Sequence, residues 1–442
     1  MADTAAQFAN HPALERPKVT EREPLHWNQL KFGQAIPPAS ELKLEEINLA
    51  DPELWRRQAY WDLFARMRKE APLHWCEESF VGGFWSVTRY EDVMKVDIDH
   101  QRFSSSWEHG GITLGESPED FDLPMFIAMD EPQHGAQRKT VQPAVGPPNL
   151  KKFEPLIRER TQNLLDSLPV GEPFDWVDTV SIELTTMMLA TLFDFPFEDR
   201  RKLTRWSDVS TNMNNPDIVP GGEEQWRTEM LECMMTFVQI FEDRKKNPRS
   251  NDLMTLLALG EKTKDQTPKE LLGNMILLIV GGNDTTRNSM TGSVLALNKF
   301  PEQFEILKKN HDLIPNMVSE AIRWQTPLAF MRRTALEDVE MHGQTIKKGD
   351  QIAMWYASAN RDETKFERPN DFWIERPKVR QHLSFGFGIH RCVGNRLAEL
   401  QLKILWEELL ARFSHVEVVA EPSLTPSPFV KGYTWMPVVL HK

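Results

Sequence analysis

The sequence of 442 residues has little cysteine, no long apolar run and no excess of positive charge. Its three cysteines, Cys76, Cys233 and Cys392, are too few and too widely spaced for a disulfide framework, which is typical of a reducing compartment. The longest apolar stretch, MILLIV at 275–280, falls far short of the roughly 18 residues that a membrane span requires. A net charge of −13 excludes a general affinity for nucleic acid or anionic membranes.

The amino terminus carries no basic start followed by an apolar stretch, which predicts a protein without a secretory signal that stays in the cytoplasm. Residues 1–45 are polar, rich in proline and without periodicity, and they predict an irregular extension that is draped on the fold or partly mobile. Beyond them, apolar residues recur at three- and four-residue spacing, and strand-like pieces are short. Because no internal repeat or linker is found, we predict one mainly α-helical domain over 46–442.

One long helix is predicted together with both of its ends. Thr267, Pro268 and Glu270 form a capping box with proline at the first helical position, and the pattern persists to about residue 298, ahead of Pro301. The middle carries the run GGNDTT at 281–286, in which each glycine costs about 1 kcal/mol and the polar groups need partners. This run indicates either a tight helix crossing or kink, or a functional notch.

The segment FGFGIHRCVG at 385–394 ends directly before an amphipathic helix predicted from Asn395. A cysteine there has its thiolate favoured by the helix dipole and by unpaired backbone N–H groups, and a thiolate is a good metal ligand. Three glycines in the segment would let the backbone lie close against a flat cofactor: Gly386, Gly388 and Gly394. His390 and Arg391 offer hydrogen-bond donors for carboxylates. The alternative is an inert, buried cysteine in a glycine-rich turn.

This segment resembles, at every fixed position, the haem-binding loop of the cytochrome P450 family, Phe-Gly-x-Gly-x-His-x-Cys-x-Gly. A chance match in a chain of this length is on the order of one in 10⁵. The resemblance implies a triangular helical bundle with small β-sheets around a buried haem b. It also implies that Cys392 ligates the iron and that Phe385, Gly386 and His390 contact the haem. No C-x-x-C-H motif occurs, so the haem is expected to be non-covalent.

Further segments resemble the family's structural and haem-side motifs. Glu320 and Arg323 match its Glu-x-x-Arg pair, and Arg376 in FERPNDFWIER would complete a structural Glu–Arg–Arg cluster. The resemblance also assigns three residues to the haem propionates, which an acidic protein must neutralise with donors: His134, Arg138 and Arg333. The alternative for the arginines is simple surface exposure.

The run GGNDTT resembles the family's Gly-Gly-x-Asp-Thr motif on the other side of the haem. The resemblance implies that Gly281 and Gly282 open a groove for dioxygen and that Asp284 and Thr285 supply protons to it. A thiolate that donates electron density favours O–O cleavage, and the protons let water leave. Since peroxide-using relatives and haem-thiolate isomerases commonly lack this acid and alcohol pair, its presence predicts a monooxygenase.

Two longer segments, 174–208 and 323–350, resemble the bacterial soluble alkane hydroxylase family, which oxidises the terminal methyl group of medium-chain alkanes and fatty acids. A terminal C–H bond is stronger than its neighbours and is selected by position, which predicts a narrow apolar channel. By position in the family pattern, the channel residues are Ile112, Leu114, Leu277, Val280, Leu328, Phe330, Phe429 and Val430. Each of them has core packing as its alternative.

Electrons are expected from outside the chain, because it holds no flavin- or nicotinamide-binding glycine motif and no iron–sulfur cysteine cluster. The resemblance implies a [2Fe–2S] ferredoxin with its NADH-dependent reductase. We expect docking near Cys392, on a basic patch of Arg391, Arg396 and Lys403.

Two other functions stay open at this point. One is the same monooxygenase chemistry on a terpenoid or steroid side chain. The other is a haem-thiolate sensor or carrier, which would keep Cys392 but has no need of Asp284 and Thr285. Chain length preference, the natural ferredoxin, the oligomeric state and any covering of the entrance by the extension are not predicted.

Overall fold

The computed structural model describes residues 7–8, 10–116, 121–249 and 252–442. Its helices are α1 (Pro52–Arg56), α2 (Trp61–Glu70), α3 (Tyr90–Ile98), α4 (Gln133–Val141), α5 (Pro147–Asp166), α6 (Glu183–Phe193), α7 (Arg201–Thr211), α8 (Gly222–Lys246), α9 (Leu253–Leu259), α10 (Pro268–Lys299), α11 (Pro301–Lys309), α12 (Ile314–Gln325), α13 (Tyr356–Ala359) and α14 (Asn395–Arg412). A π-helical turn over Val177–Ile182 leads into α6. The mainly α-helical class predicted from the sequence is confirmed.

The strands are short: β1 (Leu73–Cys76), β2 (Phe84–Val87), β3 (Phe103–Ser104), β4 (Pro173–Asp175), β5 (Met331–Ala335), β6 (Val339–Met341), β7 (Gln344–Ile346), β8 (Gln351–Met354), β9 (His415–Val418), β10 (Ser423–Leu424), β11 (Tyr433–Trp435) and β12 (Pro437–His441). The largest sheet in the described chain has the order β1-β2-β8-β5-β3. Its β2–β8 pair is parallel and its other pairs are antiparallel. Small separate sheets are therefore what the fold has, as predicted.

Helix α10 passes through the middle of the molecule and contacts α6, α7, α8, α12 and α14. It begins with the predicted capping box, in which the Thr267 N–H donates to Glu270 Oε2 at 2.8 Å and the Glu270 N–H donates to Thr267 Oγ1 at 3.3 Å. It runs for 32 residues and ends before Pro301. The two glycines in its middle do not interrupt it.

The two halves of α10 lie in different hydrophobic cores. The first half, through Ile279, packs with residues of α6, α7, α8 and α9. The second half, from Met290, packs with α12, α14 and the sheet of β4, β9 and β12. The polar run at 281–286 falls between these cores, where a buried polar site does not interrupt apolar packing.

The amino-terminal extension is mostly irregular in its described part, with 3-10 turns over Pro12–Leu14 and Leu44–Glu46, and it lies against the fold. Arg16 Nε donates to Ser423 Oγ at 3.2 Å, and the Leu30 N–H donates to Asp51 Oδ2 at 2.6 Å. These contacts tie it to strand β10 at one end and to the amino terminus of α1 at the other. No helix in the described ranges is both long and apolar enough to cross a membrane.

Candidate active site

The cysteine loop, residues 385–394, turns back on itself directly before α14. The Cys392 N–H donates to the carbonyl of Phe385 at 2.8 Å, and α14 begins three residues later. Burial raises the pKa of the Cys392 thiol, while backbone N–H groups of Gly394 and Asn395 and the positive charge of Arg138 oppose that rise. The donors that favour a thiolate are therefore those expected at a helix amino terminus.

The glycines of the cysteine loop serve different purposes. Gly388 has φ +67°, and a Cβ there would lie 2.6 Å from the carbonyl oxygen of Asp97, at the end of α3. Gly394 lines the central cavity, and a Cβ there would meet nothing within 4 Å. The expectation that Gly388 admits a cofactor is therefore corrected: it lets the loop pack on α3, because no side chain fits between the two backbones.

A cavity of about 690 Å³ lies between the cysteine loop and the middle of α10. It brings together on its walls most of the predicted cofactor and catalytic residues: Cys392, Phe385, Gly386, His390, His134, Arg138, Arg333, Gly281, Gly282 and Thr285. These residues come from α4, α10, β5 and the cysteine loop, which are far apart along the chain. Among the predicted catalytic residues, Asp284 does not line it.

Two imidazoles in the cavity wall have one unsatisfied nitrogen each. His134 Nδ1 lies 3.3 Å from Glu131 Oε1, and His390 Nε2 lies 2.9 Å from Ser105 Oγ. The opposite nitrogens, His134 Nε2 and His390 Nδ1, are buried and have no partner in the described part of the chain. Burial lowers the pKa of both rings, and a neutral ring has a single N–H. His390 presents it at Nδ1 when Ser105 donates to Nε2, whereas His134 uses it toward the Glu131 carboxylate and donates from Nε2 only when the ring is protonated. A buried polar atom without a partner indicates a missing ligand atom.

Arg138 and Arg333 complete this wall, and neither is a freely solvated surface residue. Arg138 is half-buried and Nη2 donates to the carbonyl of Arg391 in the cysteine loop. Arg333 Nη2 pairs with the buried Asp97 Oδ1 at 2.8 Å. Asp97 Oδ2 accepts from Tyr356 Oη at 2.9 Å and from the Phe387 N–H at 2.8 Å. Asp97, which the sequence did not single out, thus joins α3, β5, α13 and the cysteine loop.

These donors fit the haem that the sequence resemblance implies. Its two propionates carry negative charge and need donors, which the two arginines and His390 Nδ1 offer on one wall, joined by His134 Nε2 when that ring is protonated. Its iron would be held by the sulfur of Cys392, which is available on the cavity surface. The flat ring needs open backbone surface, which Gly394 and Gly281 provide because nothing lies within 4 Å of either Cβ position.

Asp284 and Thr285 are adjacent on α10 but face different neighbours. The Thr285 hydroxyl lines the cavity and donates to the carbonyl of Gly281 at 2.8 Å. Asp284 is only 1% exposed and faces α7, where its Oδ1 accepts from Ser207 Oγ at 3.0 Å. The same oxygen lies 2.9 Å from Nη2 of Arg287, one turn further along α10. Arg287 Nη2 also pairs with Asp208 Oδ1 at 2.6 Å. Since the Asp208 side chain is partly exposed, this chain of contacts connects the buried Asp284 with the protein surface.

The pKa of Asp284 is raised to about 6, because burial and the charge of Asp208 together outweigh the opposite effects of Arg287, the Ser207 hydroxyl and the Asn283 amide. A carboxyl with a pKa near 6 exchanges protons easily close to neutral pH. The arrangement can therefore hold a proton beside the cavity and renew it from the protein surface.

Gly281 and Gly282 differ in what surrounds them. A Cβ on Gly281 would meet nothing within 4 Å, which agrees with the predicted groove. A Cβ on Gly282 would lie 2.7 Å from Leu189 Cδ2 on α6. Gly282 therefore also permits a tight crossing of α6 and α10, which was the alternative interpretation of the glycine pair.

Most of the predicted channel residues line the same cavity: Ile112, Leu114, Leu277, Val280, Leu328, Phe330 and Phe429. Val430 is buried and does not line it. Val430 forms a β-bridge with Leu328, so the two predicted residues lie side by side, but the Val430 side chain contributes to buried packing and not to the cavity wall.

The amino-terminal extension also forms part of the cavity wall, which the sequence did not predict. Its lining residues include Arg22, Pro24, Leu25, Leu30 and Phe32. Nothing in their spacing signals this position, because the extension has no periodicity that would indicate a buried face.

Glu320, Arg323 and Arg376 meet away from the cavity, as the resemblance implied. Arg323 Nε donates to Glu320 Oε2 at 2.7 Å, and Arg376 Nε donates to the same oxygen at 3.0 Å. Both arginines also donate to backbone carbonyls between residues 360 and 371. The cluster joins α12 to the segment that precedes the cysteine loop.

The predicted basic patch is smaller than expected. Arg391 and Arg396 are exposed beside Cys392, and neither pairs with a carboxylate within the described ranges. Lys403 lies two turns further along α14, and its Nζ is 3.4 Å from Glu407 Oε1. Its charge is therefore partly neutralised, because residues four apart share a helix face.

The sequence pattern of the cytochrome P450 family matches residues 83–432. Among solved structures, cytochrome P450-153 from Novosphingobium aromaticivorans is 45% identical, with a TM-score of 0.83 over 89% of this chain and 99% of that one. Among curated relatives, linalool 8-monooxygenase of Pseudomonas putida is 36% identical over 90% of this chain and 99% of its own. Methyl-branched lipid omega-hydroxylase of Mycobacterium bovis is 30% identical over 91% and 96%. This chain belongs to the cytochrome P450 family of haem-thiolate monooxygenases.

Proposed function

We propose that this P450 inserts one oxygen atom of O₂ into the terminal methyl C–H bond of medium-chain alkanes or fatty acids. The observation that carries the proposal is the apolar wall of the cavity that also holds Cys392 and Thr285. An apolar wall favours hydrocarbon, and position decides which C–H bond reacts. The name of the mycobacterial relative, an omega-hydroxylase of methyl-branched lipids, supports the same regiochemistry.

The apolar wall has a rigid part where two chain segments run side by side. The Ala329 N–H donates to the carbonyl of Phe429 at 2.9 Å, and the Lys431 N–H donates to the carbonyl of Pro327 at 2.7 Å. The rings of Phe330 and Phe429 pack edge to face, with centroids 5.5 Å apart. Since backbone hydrogen bonds hold both sides, this wall cannot easily widen to admit a chain sideways.

The residues divide the catalytic work between them. Bound haem supplies the activation of dioxygen and the transfer of oxygen to carbon. Cys392 would hold the iron, while the wall of His134, His390, Arg138 and Arg333 would hold the carboxylates of the haem.

The proton supply is the part that α10 contributes. The Thr285 hydroxyl donates to Gly281 and keeps its oxygen lone pairs free to accept a hydrogen bond in the cavity. We assign to Asp284 the renewal of the protons used in the reaction, because a carboxyl with a pKa near 6 both takes up and releases protons near neutral pH.

Electrons would come from a [2Fe–2S] ferredoxin and its NADH-dependent reductase. The exposed Arg391 and Arg396 beside the cysteine loop support an acidic partner at this face. The remaining charge of the molecule is negative overall, so a local positive patch would also orient the partner.

The test begins with the difference spectrum of the reduced, carbon-monoxide-bound protein. We expect a strongly red-shifted Soret band in the parent and its loss in Cys392→Ser. Dodecane and dodecanoic acid are then converted with a ferredoxin system, and terminal alcohols are expected as the main products. Leu328→Ala should raise the sub-terminal share by removing part of the rigid wall. Mainly sub-terminal products from the parent would contradict the proposal.

A second candidate is hydroxylation of a terpenoid, favoured by the 36% identity to linalool 8-monooxygenase. Turnover of linalool in parallel with dodecane separates the two, because the better substrate has the higher kcat/KM. A haem-thiolate sensor, in contrast, would be indifferent to Thr285→Ala. In a monooxygenase that change should divert reducing equivalents to peroxide.

A further inference from the structure

Of the described polar side chains that line the cavity away from the cysteine loop, two have an unsatisfied N–H donor, Arg22 and Trp226. Arg22 belongs to the amino-terminal extension, and Trp226 lies on the second turn of α8. Arg22 is tied to the connection between α7 and α8, because its Nη2 donates to Asn215 Oδ1 at 2.5 Å and to Asp217 Oδ2 at 3.2 Å. Arg22 thus lies on the connection that leads into α8, and Trp226 lies on the second turn of that helix.

Each of these side chains has a buried N–H without an acceptor. Trp226 is 6% exposed, and its Nε1 has no hydrogen-bond partner among the residues that the structure describes. The same is true of Arg22 Nε. An unsatisfied buried donor costs about 1–3 kcal/mol, so a fold that keeps two of them on a cavity wall indicates a ligand atom that accepts from them.

The same property marks the other polar region of this cavity. There, His134 Nε2 and His390 Nδ1 lack partners among the described residues, on the wall against which the haem propionates would lie. Much of the wall between the two regions is apolar, with Leu192, Met230 and Leu277 among its residues. The cavity therefore suits a ligand with an apolar chain toward the haem and an acceptor at its far end.

We propose that Arg22 and Trp226 form a subsite for the carboxylate of a fatty acid whose methyl end is oxidised. This inference rests on the proposed terminal hydroxylation and names the preferred member of its substrate class. A carboxylate suits these donors because a hydrogen bond from guanidinium to an anion is about twice as strong as a neutral one. Asp217 leaves Arg22 able to bind it, since a guanidinium has five N–H donors and the described contacts engage only Nη2.

The test compares three ligands of equal chain length by the spin-state change of the haem on binding: dodecanoic acid, 1-dodecanol and dodecane. Arg22→Ala removes the guanidinium, and Trp226→Phe removes only the indole N–H. Each should weaken binding of dodecanoic acid about ten-fold, the loss expected for one hydrogen bond to a charged group, and leave dodecane unchanged.

Matched controls lie on the same extension but outside the cavity. Trp27 is 78% exposed, and its Nε1 donates to Glu78 at 3.0 Å, so Trp27→Phe removes an indole N–H that the subsite does not use. Arg16→Ala removes a guanidinium that binds Ser423. Neither control should change the ratio of acid to alkane affinity.

Equal losses for all three ligands in the Arg22 and Trp226 variants would overturn the proposal, because they would indicate a wall without selectivity. Equal losses for acid and alcohol would overturn the preference for a carboxylate. The outcome is separable from the proposed function: mainly sub-terminal products in the parent would refute terminal hydroxylation, while the binding ratios would still report on the subsite.

Discussion

Replacing Ser207 by alanine tests whether Asp284 holds the proton used in catalysis. The Ser207 hydroxyl donates to Asp284 Oδ1 at 3.0 Å and stabilises the ionised carboxylate, so its loss should raise the pKa of Asp284. A hydrogen bond to a charged group contributes about 1.5 kcal/mol, which corresponds to about one pKa unit. The pKa should therefore move from about 6 to about 7.

The assay is the rate of product formation against pH, with ferredoxin and substrate saturating. If the protonated Asp284 supplies the proton, the rate should fall as the pH rises through its pKa, and this limb should lie about one unit higher in Ser207→Ala. Asp284→Asn should lose the limb together with most of the rate. Thr204→Val is the control. Thr204 lies on the same helix as Ser207, but its buried hydroxyl pairs with Thr186 at 2.7 Å and not with Asp284. If the rate fell at the same pH in the parent and in all three variants, Asp284 would not be the group that supplies the proton.

Three further results are expected. Glu320→Gln should cost about 3–5 kcal/mol of unfolding free energy in thermal denaturation, because it leaves two buried guanidinium groups without their carboxylate; an unchanged Tm would contradict this. Gly282→Ala should cost about 1 kcal/mol net, since crowding of its Cβ, 2.7 Å from Leu189 Cδ2, costs about 1–3 kcal/mol and the higher helix propensity of alanine offsets about 1 kcal/mol; that cost should disappear when Gly282→Ala is made in a Leu189→Ala background. Arg391→Glu with Arg396→Glu should raise the KM for ferredoxin and weaken its dependence on ionic strength, whereas an unaltered KM would place docking elsewhere.

Local motifs made much of this protein predictable. The capping box of Thr267 and Glu270 and the cysteine loop each occupy a short stretch, so their geometry follows from neighbouring residues. The Glu320–Arg323 contact is also local, because residues three apart share a helix face. The partner Arg376 was assigned only by resemblance to the family.

Other features depend on residues that meet only in the folded chain. Asp97 binds Arg333, Tyr356 and the Phe387 N–H, and its sequence neighbours carry no signal of those partners. The cavity wall at Phe429 depends on the bridge between Val430 and Leu328, which lies about a hundred residues earlier. Ser207 likewise becomes part of the Asp284 site only because α7 packs on α10.

By itself, the sequence determined the class of the fold, the cysteine loop and the run on α10, because helix periodicity, capping and spacing act over a few residues. Only the tertiary structure decided that Gly282 is a helix contact and that the amino-terminal extension brings Arg22 onto the cavity wall. Both depend on which distant segments approach each other, and that approach is set by the packing of the whole core rather than by any local pattern.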